Sequence, residues 1–182
     1  MDKTIRKLTL TNGSILTTQN EILQCVRDYY VNLFSNKNDY QYQLLNDLGS
    51  HCTIEPLDRK NANMLEGYIT VKELSEALSK MKNNKTPGLD GFPADFFKVF
   101  WLQLINFVMR TLNESFIKKC LPHTLRQVVI NCIPKGNKPR DSLKNWRPIF
   151  LANVLYKLGS SVIATRIKSV IDIRHADRIS PR

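Results

Sequence analysis

The chain has 182 residues, 42% of them apolar and 24% charged, a composition that builds one folded domain and excludes a collagen-like, low-complexity or wholly disordered chain. Its formal net charge of +11 is uneven: residues 1–82 hold ten basic and ten acidic residues, whereas residues 83–182 hold seventeen and six. Such one-sided charge suits a polyanionic partner, or more plainly a basic surface kept for solubility.

No apolar core follows residues 1–4 as a secretory leader requires, and the most apolar stretch, 96–109, is interrupted by Lys98, Gln103 and Asn106. It falls short of the roughly 20 residues of a membrane span. A soluble, intracellular protein is expected, with no membrane partner. The four cysteines, at 25, 52, 120 and 132, show no C-x-x-C spacing, so neither a disulfide framework nor a zinc module is indicated. Cys120, His123 and Cys132 come nearest to a metal set, but Cys132 alternates within an apolar run and more simply packs there. No metal site is assigned.

In chain order, apolar residues on either side of Asn12-Gly13 predict a short hairpin over 5–16. Thr18-Gln19-Asn20-Glu21 is a capping box, and Ile22, Val26, Tyr29, Tyr30 and Leu33 then share one helical face up to about Phe34. Residues 35–69 are polar and broken by Asn36, Asn38, Asn46, Gly49 and Pro56, which predicts a linker or short helices. A second capping box, Thr70-Val71-Lys72-Glu73, opens a helix with Leu74, Ala77, Leu78 and Met81 inward. Thr86, Pro87, Gly88, Asp90 and Gly91 then set a tight turn. Beyond Pro93, apolar residues at three- and four-residue steps from Phe96 to Phe116 predict one long, heavily buried helix, with Phe100, Leu104 and Val108 among its deepest side chains. Residues 128–133 read as a strand that Pro134 ends, and 146–151 as a second. The loop between them carries Lys135, Lys138, Arg140 and Lys144 against Asp141 alone. A last helix from about Ala152 to Ile171 turns Leu155, Leu158, Val162, Ile163, Ile167 and Val170 inward and leaves Lys157, Arg166 and Lys168 outward, or toward a bound strand. The whole is α+β, mostly helical, with a small antiparallel hairpin.

Two ordered blocks carry a resemblance. Ile133-Pro134-Lys135, the basic loop, Asn145-Trp146-Arg147-Pro148-Ile149, Asn153-Val154-Leu155-Tyr156-Lys157 and Ala164-Thr165-Arg166-Ile167 resemble the fingers of reverse transcriptases from LINE-type, non-LTR retrotransposons. Upstream, the run from Lys85 through Thr86-Pro87-Gly88-Leu89-Asp90-Gly91-Phe92-Pro93 to Lys98 is similar to a preceding block of the same family. Phe150 departs from the pattern, standing where the family usually has a small hydroxyl residue.

The resemblance implies a lead-in or connector over 1–69 and a reverse transcriptase fingers region over 70–182, truncated before the catalytic palm. It implies that Lys135 and Arg147 face the triphosphate of an incoming nucleotide. A rigid guanidinium and an ammonium suit that task because they neutralise charge as pyrophosphate leaves; alternatively Arg147 caps a strand and stacks on Trp146. Lys138, Arg140, Lys144, Lys157 and Arg166 are candidate contacts to a nucleic-acid backbone, and Lys85 and Asp90 to template. The partners implied are RNA template, RNA–DNA duplex and deoxynucleoside triphosphate. Magnesium is implied for a complete enzyme, but the chain has no Asp-Asp pair and no carboxylate cluster that would fix two metals. The chain alone is therefore expected to bind no metal and to be inactive. A non-catalytic nucleic-acid-binding remnant of such an element is the alternative, and a protein-interaction domain with a basic face is a third.

Overall fold

Gly13, at φ +84°, closes the turn between β1 (Leu8–Thr9) and β2 (Ile15–Leu16), which pair antiparallel with Leu8 opposite Leu16 and Thr9 opposite Ile15. Asn12 stabilises the same turn, its side chain accepting from the Ser14 N–H at 3.0 Å. The computed structural model that shows this describes residues 4–35 and 57–179, which divide into two compact units. One draws on 4–35 and 131–149, the other on 57–130 and 150–179. The division at residue 69 follows the sequence blocks, whereas packing groups the amino-terminal segment with the basic loop. Cys52, His51 and most of the 35–69 stretch lie outside the described residues.

In the first unit, the β1–β2 hairpin leads into α1 (Gln19–Ser35), where Thr18 Oγ1 hydrogen-bonds the carboxylate of Glu21. Leu8 and Ile22 form a small core with Leu143, and Ile5, Leu16, Cys25, Val26 and Tyr29 pack around it. Leu143 belongs to the basic loop; it sits in a single 3₁₀ turn (Leu143–Asn145) that folds the loop onto its own unit. Leu33, expected inward, is exposed, and buried Tyr30 faces Cys132 instead, with Sγ 3.6 Å from the phenol oxygen. Burial, reinforced by the Cys132 contact, raises the Tyr30 pKa above its ordinary value.

The second unit is helical. Asp58 caps α2 (Arg59–Leu65), accepting from the Asn61 N–H at 2.6 Å. The Thr70–Glu73 box caps α3 (Val71–Lys80) reciprocally, as its spacing predicts. The single long helix expected next is two, α4 (Ala94–Val99) and α5 (Trp101–Ile117), which meet at Phe100 with φ −100° and ψ 23°. Side-chain ties fix the break. Lys98 Nζ, on α4, reaches Met81 O and Asn83 Oδ1, both at 2.6 Å, while Trp101 Nε1, opening α5, donates to Ser75 Oγ at 2.9 Å. These hold the two helices to different points along α3 and its exit turn. Phe100 is consequently 45% exposed, a correction to its expected burial, and Leu104 is only half-buried. Val108 is buried as expected.

The core of this unit joins Leu74 and Leu78 of α3, Phe97 of α4, Val108 and Leu112 of α5, and Val154, Leu158 and Val162 of α7 (Val154–Ile179). Gly159 permits the close approach of α5 and α7, since a Cβ there would meet Leu112 Cδ2 at 3.1 Å. Ile163 and Ile167, expected inward, are exposed. A short helix, α6 (His123–Arg126), precedes β3 (Val129–Pro134), which pairs antiparallel with β4 (Trp146–Leu151). The described chain is thus mostly helical with two small antiparallel sheets. None of its described helices is long and apolar enough to cross a membrane.

Candidate phosphate-binding site

The basic loop hangs from β3 and β4, and the register of these strands decides which side chains it presents. The Lys135 N–H donates to Asn145 O at 2.8 Å. That bond joins the residues just beyond the strand ends, Lys135 after β3 and Asn145 at the close of the 3₁₀ turn, and Arg147 is the second residue of β4. Trp146 lies on the other face. It is 2% exposed, with its indole N–H on Arg140 O at 3.0 Å, whereas Arg147 is exposed. Alternation in the strand sets the Arg147 and Trp146 side chains on opposite faces. Lys135 Nζ donates to Lys144 O at 2.7 Å, an arrangement that uses one of its three N–H donors.

Polar ties hold the loop in one shape. Asn145 Nδ2 donates to Pro139 O at 2.9 Å, and Asp141 O accepts from the Thr9 N–H at 2.8 Å. The Thr9 hydroxyl also donates to Asp141 Oδ2 at 3.4 Å. Asp141, read from sequence only as a local counter-charge, is thus the stitch between the loop and β1. No sequence signal marks it apart from its being the loop's single acid. Lys138, Arg140 and Lys144 are exposed on this braced loop, and the first unit brings them together with Lys135 and Arg147.

Residues assigned from the other motif block lie in the second unit. Gly91, at φ +76°, and Asp90, whose carboxylate accepts from the Phe92 N–H at 3.2 Å, form the turn. Gly88 abuts the start of α7: a Cβ there would lie 2.2 Å from Asn153 Oδ1 and 2.5 Å from Asn153 N. Pro87 precedes it, half-exposed, and Lys85 is exposed. Lys157 is half-buried on α7.

Arg166 has a different fate from the one expected. Its Nε and Nη2 grip Glu73 at 2.6 and 2.9 Å, Nη2 also donates to Tyr68 O at 2.9 Å, and Nη1 donates to Gly67 O at 2.9 Å. With its donors taken up inside the protein, Arg166 is a clamp on the α2–α3 connection rather than a cation free for phosphate. Glu73 answers in its own titration: the Arg166 hydrogen bond brings its pKa down to about 2. Among the described residues no three His, Cys, Asp or Glu side chains converge to hold a metal ion, the Cys120, His123 and Cys132 set included. Cys25, Cys120 and Cys132 are free thiols.

Comparison with known proteins finds transposon-encoded relatives. The chain is 36% identical over 177 residues to the transposon TX1 uncharacterized 149 kDa protein of Xenopus laevis, a match covering 97% of the chain. The chain is a homologue of transposon-encoded proteins. It spans only 13% of that relative's length. Two further transposon proteins of Drosophila melanogaster match, both at 28% identity: a probable RNA-directed DNA polymerase from transposon BS over 106 residues, 58% of this chain and 12% of the relative, and one from transposon X-element over 100 residues, 55% of this chain and 11% of the relative. The relationship inferred from the two motif blocks agrees with these matches. No family model matches this transposon-related chain.

Proposed function

We propose that this chain is the amino-terminal, fingers portion of a non-LTR retrotransposon's RNA-directed DNA polymerase, and that it holds phosphate groups of template strand and incoming deoxynucleoside triphosphate. The observation that carries the reading is the outward face of the β3–β4 hairpin. Arg147 is exposed on it one residue after Trp146, which packs into the protein, and Lys135 stands at the foot of the same hairpin with its N–H on Asn145 O. The names of the Drosophila relatives support it, as does the excess of basic residues after residue 82. Arg147 offers a planar fork that fits two phosphate oxygens at once, and Lys135 a mobile point charge; together they neutralise the charge that grows on a leaving pyrophosphate. Magnesium, implied by the family, would supply metal-assisted nucleotidyl transfer when bound. The described residues provide no ligand set for it, so these side chains are assigned binding and charge neutralisation alone.

The test is steady-state primer extension on an RNA template by a polypeptide that joins this chain to the downstream aspartates. Arg147→Ala should raise the KM for deoxynucleotide or lower kcat/KM by about tenfold, some 1.4 kcal/mol of lost stabilisation. A change smaller than about twofold in an active enzyme would show that Arg147 does not serve the triphosphate.

A further inference from the structure

We propose that a cavity between α5 and α7 receives an amphipathic helix from the remainder of the polymerase polypeptide, which seats one large apolar side chain in it. The inference rests on the reading above, in which this chain is one portion of a longer protein, and it concerns the second unit alone. Leu65, Ile69, Leu112, Phe116, Tyr156 and Ile163 give the cavity, of about 430 Å³, its mainly aliphatic and aromatic lining. Its inner polar members are already engaged. Asn113 accepts from the Ile69 N–H at 2.8 Å and donates to Ile69 O at 3.0 Å, Ser115 Oγ donates to Thr111 O at 2.6 Å, and Arg166 is the clamp on Glu73, Gly67 and Tyr68. Asn113 and Arg166 tie the α2–α3 connection to both helices, so the cavity is formed before any occupant arrives and binding need not order its walls. Lys119, Cys120 and Ser160 also line it and are exposed.

The extent of apolar surface selects the occupant. Volume alone would suit a small molecule, but the apolar surface runs on past the rim. Phe116 and Tyr68, which meet edge to face at 6.3 Å, are both exposed, as is Ile117. Along α7, Ile163, Ile167 and Ile171 follow at four-residue steps, which sets them in one exposed row leading away from the cavity. A small molecule would fill the cavity and leave this margin in water. A helix with one apolar face covers both: its largest side chain enters the cavity and its neighbours lie along the row. That is the arrangement of a buried anchor ringed by contacts that exclude water. Charge and connectivity choose the source. At a net charge of +11 a second copy would meet like-charge repulsion, whereas a helix of the same polypeptide is held near the cavity at high effective concentration. The Xenopus relative, of whose length this chain spans 13%, shows how much further polypeptide such a protein can hold.

The experiment reads the Cys120 thiol, which is free, exposed and part of the cavity lining. Its rate of alkylation by N-ethylmaleimide, located by peptide mass mapping, is compared between the 182-residue chain and the longer polypeptide of the primer-extension test, both native. Cys120 should react as an open thiol in the chain alone and about tenfold or more slowly in the longer polypeptide, where reaction waits on the helix lifting away. Ile163→Glu, a change at an exposed position, should leave the Tm of the 182-residue chain unaltered and return Cys120 of the longer polypeptide to within about twofold of its open rate. Equal rates in the two parental proteins would overturn the proposal, and an active longer enzyme with that result would leave the role of Lys135 and Arg147 standing. Slow alkylation that survives Ile163→Glu would also overturn it, since Cys120 would then be shielded by something other than a helix on this row. Protection that arises in the 182-residue chain alone and grows with its concentration would assign the cavity to a second copy and overturn it likewise. Slow, Ile163-dependent alkylation in a longer enzyme indifferent to Arg147→Ala would uphold the docking and remove the triphosphate reading.

Discussion

Arg166 illustrates how far a single side chain can be read before its partners are known. Its place after Ala164-Thr165 marks it as cationic and outward in the sequence, yet its partner Glu73 lies 93 residues away, and only closure of α7 on α3 brings them together. The pair also sets a pH dependence. Glu73 has a pKa of about 2 in the folded chain against an ordinary 4.5, so its stabilisation is complete above pH 4.5 and is lost as the pH falls through 4.5 toward 2. With Glu73 partly open to solvent, that contribution is on the order of 1–2 kcal/mol. Urea unfolding of Glu73→Gln against the parent should show this gap near neutral pH and little gap at the acid end. An equal gap at both ends would mean that the ion pair is not its source. Gly88 was legible as a turn residue but not for its second duty. Asn153 Nδ2 donates to Thr124 O at 3.1 Å, and its buried Oδ1 has no hydrogen-bond partner among the described residues. The Gly88 hydrogen that a side chain would replace points at that oxygen, in the manner of a weak Cα–H···O contact. Gly88→Ala should therefore destabilise the chain by about 1–3 kcal/mol through overpacking, lowering its Tm. An unchanged Tm would contradict the close approach.

Elements were more legible than residues where the signal is local. The Asn12-Gly13 hairpin, the capped start of α3 and the two strands around the basic loop all appear where turn chemistry and capping place them. The break at Phe100 was not legible, because apolar spacing continues through it. Only the ties from Lys98 and Trp101 to the α3 region distinguish two helices from one. Periodicity also overstated burial, since a stripe of apolar residues wider than its neighbours can cover leaves an edge outside. Leu102 on α5 is 86% exposed while Leu158 on α7 is fully buried. Leu158→Ala should accordingly cost about 2–5 kcal/mol, whereas Leu102→Gln should stay within about 0.5 kcal/mol of the parent. Comparable losses at both positions in thermal unfolding would refute this division of the core.

Across the whole molecule, charge asymmetry and the order of two motif blocks carried the reading that the transposon relatives support. What composition could not reveal is that residues 4–35 pack with the basic loop rather than with the helices that follow them. That grouping is set by Thr9, Asp141, Leu8 and Leu143, contacts of high sequence separation that no local pattern encodes. It also brings Arg6 and Lys7, from a part of the sequence with no net charge, to the tip of the basic loop. The claim that unites these observations is that the chain binds nucleic acid through its phosphates. Its most direct test is the equilibrium affinity of the parental chain for single-stranded RNA of unrelated sequences as salt is raised. Engagement of roughly 3 to 6 phosphates predicts a loss of about one to three orders of magnitude between about 50 and 200 mM salt, with little difference among sequences. Binding that is absent at the low end, or that does not change over this range, would contradict the account.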